Sequence, residues 1–218
     1  PRLGADVIAV EPDGSFLSSK FGGTYGLFDA LVCRMRPRET ERDTVNLVAR
    51  TFYGVGKDRS MEAIEGILGS MGLRIRFRLL DFCTISEIED FCAAEYDIQL
   101  GRSKLNSRIC DRISEVTGRD RALELKLPVG LCGSLAWVRA IASRWGRLAP
   151  RLKEAERILS DRFEEAVSPF RGIMSGRRVV IYCVMVRDLE WQVEVLRALG
   201  ADLRALLYVD GAVVDHNV

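Results

Sequence analysis

The sequence predicts an α/β fold of Rossmann-like parallel sheets flanked by helices, with one complete domain plus part of a second. Two observations predict it. Short runs rich in β-branched residues alternate along the chain with longer segments of helical period, the pattern that βαβ units write into a sequence. Glycines also stand where a helix must close in a left-handed residue before the next strand, as in Ser70-Met-Gly-Leu-Arg74 and Ala198-Leu-Gly-Ala-Asp202.

The elements follow in order. A first strand is expected at Asp6–Val10, and a glycine-rich turn after it opens a helix over Gly23–Arg34. A strand over Thr44–Arg50, a helix over Arg59–Ser70 and a strand over Leu73–Leu80 come next. Thr84 with Glu87 three residues later is a capping-box pattern. It starts a helix over Ile85–Ala94 that leads into a strand over Tyr96–Leu100. A helix over Ser103–Val116, a strand over Ala122–Leu127 and a helix over Ser134–Arg144 complete a Rossmann-like α/β domain, 1–149. The segment Pro150–Phe170, rich in Arg, Glu and Leu, is too long for a simple crossover and sets a boundary there. Residues 150–218 then form a connecting helix and an incomplete α/β unit, with a strand at Arg178–Val184, a helix at Leu189–Leu199 and a strand at Leu203–Val209. A start at Pro1 without Met, and an end soon after that strand, predict a piece of a longer polypeptide.

Composition removes several classes of function. The 218 residues are 48% hydrophobic, enough for a sizeable core. Thirty-two Lys and Arg against 31 Asp and Glu give a net charge of +1 with no long basic run, so nucleic acid is not expected as a partner. No apolar stretch approaches the roughly 20 residues of a membrane helix, and no signal pattern opens the chain, so no membrane partner is expected and the expected location is cytoplasmic.

The chemistry-bearing residues have plain readings. Cysteines 33, 83, 92, 110, 132 and 183 form no C-x-x-C pair and have no His at ligand spacing. Cys33, Cys92, Cys110 and Cys183 read as buried thiols. Cys83 and Cys132 follow predicted strands, where a pocket would open, although packing explains them too. His216 reads as an exposed tail residue, and Glu87, Glu89, Asp90 and Glu95 as the solvated face of one helix. Trp137 and Trp191 read as core. Phe52–Ser60 fails as a phosphate loop, because Thr51 stands where its first glycine belongs and Asp58 follows Lys57.

Open α/β sheets bind ligands at the carboxyl ends of their strands. After the first strand, Glu11–Ser19 offers small and hydroxyl side chains, and Gly22 and Gly23 permit close backbone approach ahead of a helix N-terminus that favours anions. A capped turn without ligand is the alternative reading.

The stretch Asp13-Gly-Ser-Phe-Leu-Ser-Ser-Lys-Phe-Gly-Gly-Thr-Tyr-Gly-Leu-Phe-Asp29 resembles the S-F-x-G-S-H-x-x-G-x-D turn of β-type subunits of nitrogenase component 1. Thr44–Val48, Thr84–Ile88 and Leu127-Pro-Val-Gly-Leu131, leading into Trp137 and Ile141, extend the resemblance in the family's order. In that family the turn lies beside a bridging iron–sulfur cluster, which the Ser before the Phe can approach as an oxygen ligand. The resemblance thus implies cofactor contacts from Ser15, Phe16, Ser18 and Gly22, with Ser15 the metal ligand. Ser18 and Lys20 stand where the family has Gly and His, and the family's cysteine ligands come from an N-terminal domain outside this sequence. Leu100 stands where the α-type subunit has its cluster-binding Cys, which points to a β-type subunit, a related reductase subunit or a metallocofactor-assembly scaffold. Tyr182-Cys-Val-Met departs from the family's Y/W-G-D-P turn.

What the resemblance implies is a subunit, or fragment of one, of a nitrogenase-like two-component oxidoreductase or its assembly scaffold. It would pair with a homologous subunit around an iron–sulfur cluster at their interface and receive electrons from an ATP-dependent iron–sulfur protein. The isolated chain would be inactive. The alternative is a non-catalytic Rossmann-like domain that binds a small molecule or regulates.

Overall fold

The computed structural model describes residues 22–48, 57–79, 84–101, 104–183 and 189–208. The expected strand at Asp6–Val10, Cys83 and His216 lie outside them. The described chain forms α1 (Gly22–Val32), β1 (Glu41–Val48), α2 (Lys57–Ser70), β2 (Arg74–Leu79), α3 (Ile85–Glu89), β3 (Ala94–Leu100), α4 (Lys104–Thr117) and β4 (Leu123–Leu125). It continues through α5 (Gly130–Arg144), α6 (Leu152–Val167), α7 (Arg171–Met174), β5 (Arg178–Cys183), α8 (Glu190–Ala198) and β6 (Asp202–Tyr208). The strands form a four-stranded sheet in the order β2-β1-β3-β4 and a two-stranded sheet β5-β6. The chain divides into two compact units, 1–52 with 75–124 and 53–74 with 125–218. The expected division at 149/150 falls inside the second of these.

In the first unit, β1 and β3 run parallel, with Asn46 opposite Asp97 and Val48 opposite Gln99. Alternate strand residues face opposite sides of a sheet. Val45, Leu47, Ile98 and Leu100 therefore share one side, while Thr44, Asn46, Asp97 and Gln99 share the other, and all are buried. Val48 joins a core with Val32 and Met35 beside α1, Phe77 and Leu79 of β2, and Ile109, Cys110 and Ile113 of α4. Phe77 and Phe91 meet edge to face, with ring centroids 5.7 Å apart, a favoured aromatic geometry. Arg112 of α4 donates to Asp29 of α1 at 2.5 Å, and Arg108 lies over the Tyr25 ring at 3.6 Å.

Two boundaries of the first unit differ from expectation for identifiable reasons. The strand expected from Thr44 already begins at Glu41, across a register shift. Asp43 takes up the irregularity at φ 59, a left-handed conformation that Asp tolerates better than most residues. The helix expected over Ile85–Ala94 stops at Glu89, because Phe91, Cys92 and Ala93 turn into the core as a 3-10 segment and Ala94 pairs with Glu41. Glu95 is consequently a strand residue, accepting a bond from Asp43 N, and does not share a helical face with Glu87 and Glu89. The capping box at Thr84 is present as expected, with its side chain accepting from Glu87 N and Glu87 accepting from Thr84 N.

In the second unit, α2 closes at Gly72, whose φ of 67 is the left-handed residue expected there. Arg151 donates to Met71 O at 3.0 Å and to Gly72 O at 3.3 Å, satisfying carbonyls that the helix end leaves over. Trp137, Val138 and Ile141 of α5 are buried, as are Ala155 and Leu159 of α6. The helix expected to reach Phe170 ends at Val167, where Pro169 lacks the N–H the next turn needs and Ser168–Phe170 tightens into a 3-10 turn. β5 and β6 pair in parallel, with Tyr182 opposite Leu207.

Candidate functional site

Of the residues expected to contact a cofactor, Ser15, Phe16 and Ser18 lie outside the described residues. Gly22 is the first residue of α1, so that position opens a helix N-terminus. Leu100, at the position of the α-type cysteine, closes β3 and is buried.

The described polar chemistry of the first unit lies along β1 and β3. Asn46 Nδ2 donates to Asp97 Oδ1 at 2.9 Å and to Phe91 O at 2.8 Å. Arg119, just beyond α4, donates to Asp97 Oδ2 at 2.7 Å and to Cys92 O at 3.0 Å. Both carboxylate oxygens are thereby held. Burial pushes the Asp97 carboxyl above its ordinary range, against the opposing pull of Arg119 and Asn46. Two residues further along β3, Gln99 Nε2 faces Gly101 O at 3.2 Å, Ser107 Oγ at 3.1 Å and Glu124 Oε2 at 3.5 Å. That amide group meets acceptors, which fixes which end of the Gln99 side chain carries the nitrogen.

In the second unit, the Leu127-Pro-Val-Gly-Leu131 segment leads into α5. No local side chain caps the helix. Instead Glu194 of α8 accepts from Leu131 N at 2.9 Å and from Cys132 N at 2.8 Å. Helix N-termini favour negative charge, and here the chain's own carboxylate fills the position. Gly130 adopts φ 72, and a Cβ there would lie 2.4 Å from Glu194 Oε2 and 2.9 Å from Trp191 Cβ. Cys132 is exposed, and its hydrogen bond to Glu194 raises its thiol pKa, burial adding a smaller push in the same direction. Cys110 of the first unit is pushed up to about 12 by burial.

These placements correct two expectations. Cys33 is exposed where a buried thiol was expected, because it lies just past the end of α1. Trp191, expected in the core, is 38% exposed at the first turn of α8. Trp137 is buried as expected, and its indole N–H donates to Lys126 O. Sequence reasoning passed over Asn46, Asp97, Gln99 and Arg119, although polar residues at every second position of an otherwise apolar strand are a readable signal. Nothing local marked Glu194.

The described residues do not fit an iron–sulfur cluster on their own. Among them, no three His, Cys, Asp or Glu side chains come together as metal donors. Nor, among them, is any helix long and apolar enough to cross a membrane.

A four-stranded sheet with a parallel central pair, flanked by helices, defines a Rossmann-like α/β protein. The sequence matches the family described as Nitrogenase component 1 type Oxidoreductase over residues 1–215, and the chain belongs to that family. Members of this family generally bind iron–sulfur clusters, and the family's complexes are heteromeric and work with an iron protein reductase. A solved structure titled "Nitrogenase Cp1 at pH 6.5" is similar to 86% of this chain, at 16% identity and a TM-score of 0.49. This chain covers 36% of that one, little more than a third of its length. None of the curated proteins compared matches the chain in sequence.

Proposed function

We propose that this chain is the part of a component 1 subunit, of the β type or of a related reductase or assembly scaffold, that carries the Ser15 turn to a cluster at a subunit interface. The observation that carries the reading is the family match over residues 1–215, which includes that turn. Leu100 supports the β-type or scaffold assignment, since an aliphatic side chain closing β3 has no lone pair for iron. Ser15 Oγ is the oxygen donor in this reading, with Phe16, Ser18 and Gly22 lining the approach. The cysteine ligands come from outside this sequence, and a homologous subunit completes the interface. An ATP-dependent iron–sulfur protein supplies the electrons, and the complex works in the cytoplasm.

The test is anaerobic isolation of the native complex, with intact-mass measurement and iron analysis on the same sample. Iron together with a related partner subunit is the expected result. An iron-free protein without a partner would sink the redox and scaffold reading and leave a Rossmann-like small-molecule binding domain in its place. A Ser15→Ala change in the native complex separates the residue from the family assignment. It should keep the partner while altering the cluster's spectroscopic signature, and an unaltered signature would remove Ser15 from the ligand set.

A further inference from the structure

We draw no further inference here: the strongest candidate, the exposed apolar face that Val180, Tyr182 and Leu207 make on the β5–β6 ladder, carries nothing because nothing in the structure shows what covers it.

Discussion

The first unit holds its key carboxylate inside a sheet, whereas the second places its own at the start of a helix. Asp97 has a side-chain exposure of 5% and is bound by Arg119, itself 17% exposed, and by Asn46. Glu194 is partly buried, binds the backbone amides of Leu131 and Cys132 and meets the Cys132 thiol, with no cation paired to it among the described residues. Removing a partner inside the sheet strands a charge away from water, while removing the helix cap returns two amides to solvent or to a neighbour. The same functional group therefore carries different stakes in the two units, and substitutions should rank accordingly.

The largest effect is expected at the Asp97–Arg119 pair. Arg119→Met leaves a buried carboxylate without its cation and should destabilise the chain by about 3–5 kcal/mol in denaturant unfolding. Replacing both partners, Asp97→Leu with Arg119→Met, should recover much of that loss, since apolar packing often matches a buried ion pair. A single substitution costing under about 1 kcal/mol would place the pair in the surface class and erase the contrast between the units. The pH dependence has a definite sign. Because burial raises the folded-state pKa of Asp97 above its unfolded value, the folded state holds this proton more tightly. Its contribution is fully present below the unfolded pKa of about 3.9 and is lost as pH rises through the folded value. Asp97→Asn should flatten stability over that window, and an unchanged profile would show that the carboxyl does not titrate as its burial implies.

A smaller loss is expected at Gly130. An added Cβ meets Glu194 and Trp191 and must also adopt φ 72. Gly130→Ala should cost about 2–3 kcal/mol, the sum of a left-handed penalty and a local displacement. Glu194→Ala in the same chain should give back only part of it, because the approach to Trp191 Cβ remains. Full recovery would locate the whole strain at the carboxylate.

What the sequence revealed follows from how local each cause is. Strand positions were legible because short β-branched runs bounded by turn residues favour the extended conformation locally, and Gly72 and Gly200 were legible because a left-handed close is a single-residue requirement. The ends of α3 and of β1 were less so, since the core contacts of Phe91 and the pairing of Glu41 with Ala94 join segments far apart in sequence. The start of α5 failed in the same way. Its cap, Glu194, lies 63 residues beyond Leu131, so the helix begins before the Ser134 start that local pattern suggested. Of the candidate site, the family was legible from the residue types of the Asp13–Asp29 stretch, whose Ser15, Phe16 and Ser18 lie outside the described residues, while the Asn46–Asp97–Arg119 cluster needed the strand register to bring it together.

Glu194→Ala alone should cost about 1 kcal/mol, the usual scale for losing an N-terminal cap. It carries a chemical readout as well. The Cys132 thiol is raised chiefly by its hydrogen bond to Glu194, so the variant should form thiolate at lower pH and react faster with iodoacetamide at mildly alkaline pH. Cys110, buried in the first unit, should stay unreactive in both proteins until unfolding. If Cys132 alkylation does not accelerate, the carboxylate does not govern that thiol and the clasp is purely structural.

The smallest effect belongs to the capping box of the first unit. Thr84→Ala removes the side-chain acceptor of Glu87 N but leaves the Thr84 N–H bond to the Glu87 carboxylate. Half of the reciprocal pair survives, on a helix of five residues, so the loss should be about 0.5–1 kcal/mol by thermal or denaturant unfolding. The acid limb has the opposite sign to that of Asp97. The backbone bond at Thr84 is the chief cause holding Glu87 below its usual carboxylate range, so its contribution is present above the unfolded pKa and is lost as pH falls through the folded one. Thr84→Ala should therefore preserve most of that acid dependence, whereas Glu87→Gln should remove it. Equal acid profiles for the two variants would mean that the hydroxyl, rather than the backbone amide, holds the carboxylate, and the box would then depend on Thr84 as the Asp97 pair depends on Arg119.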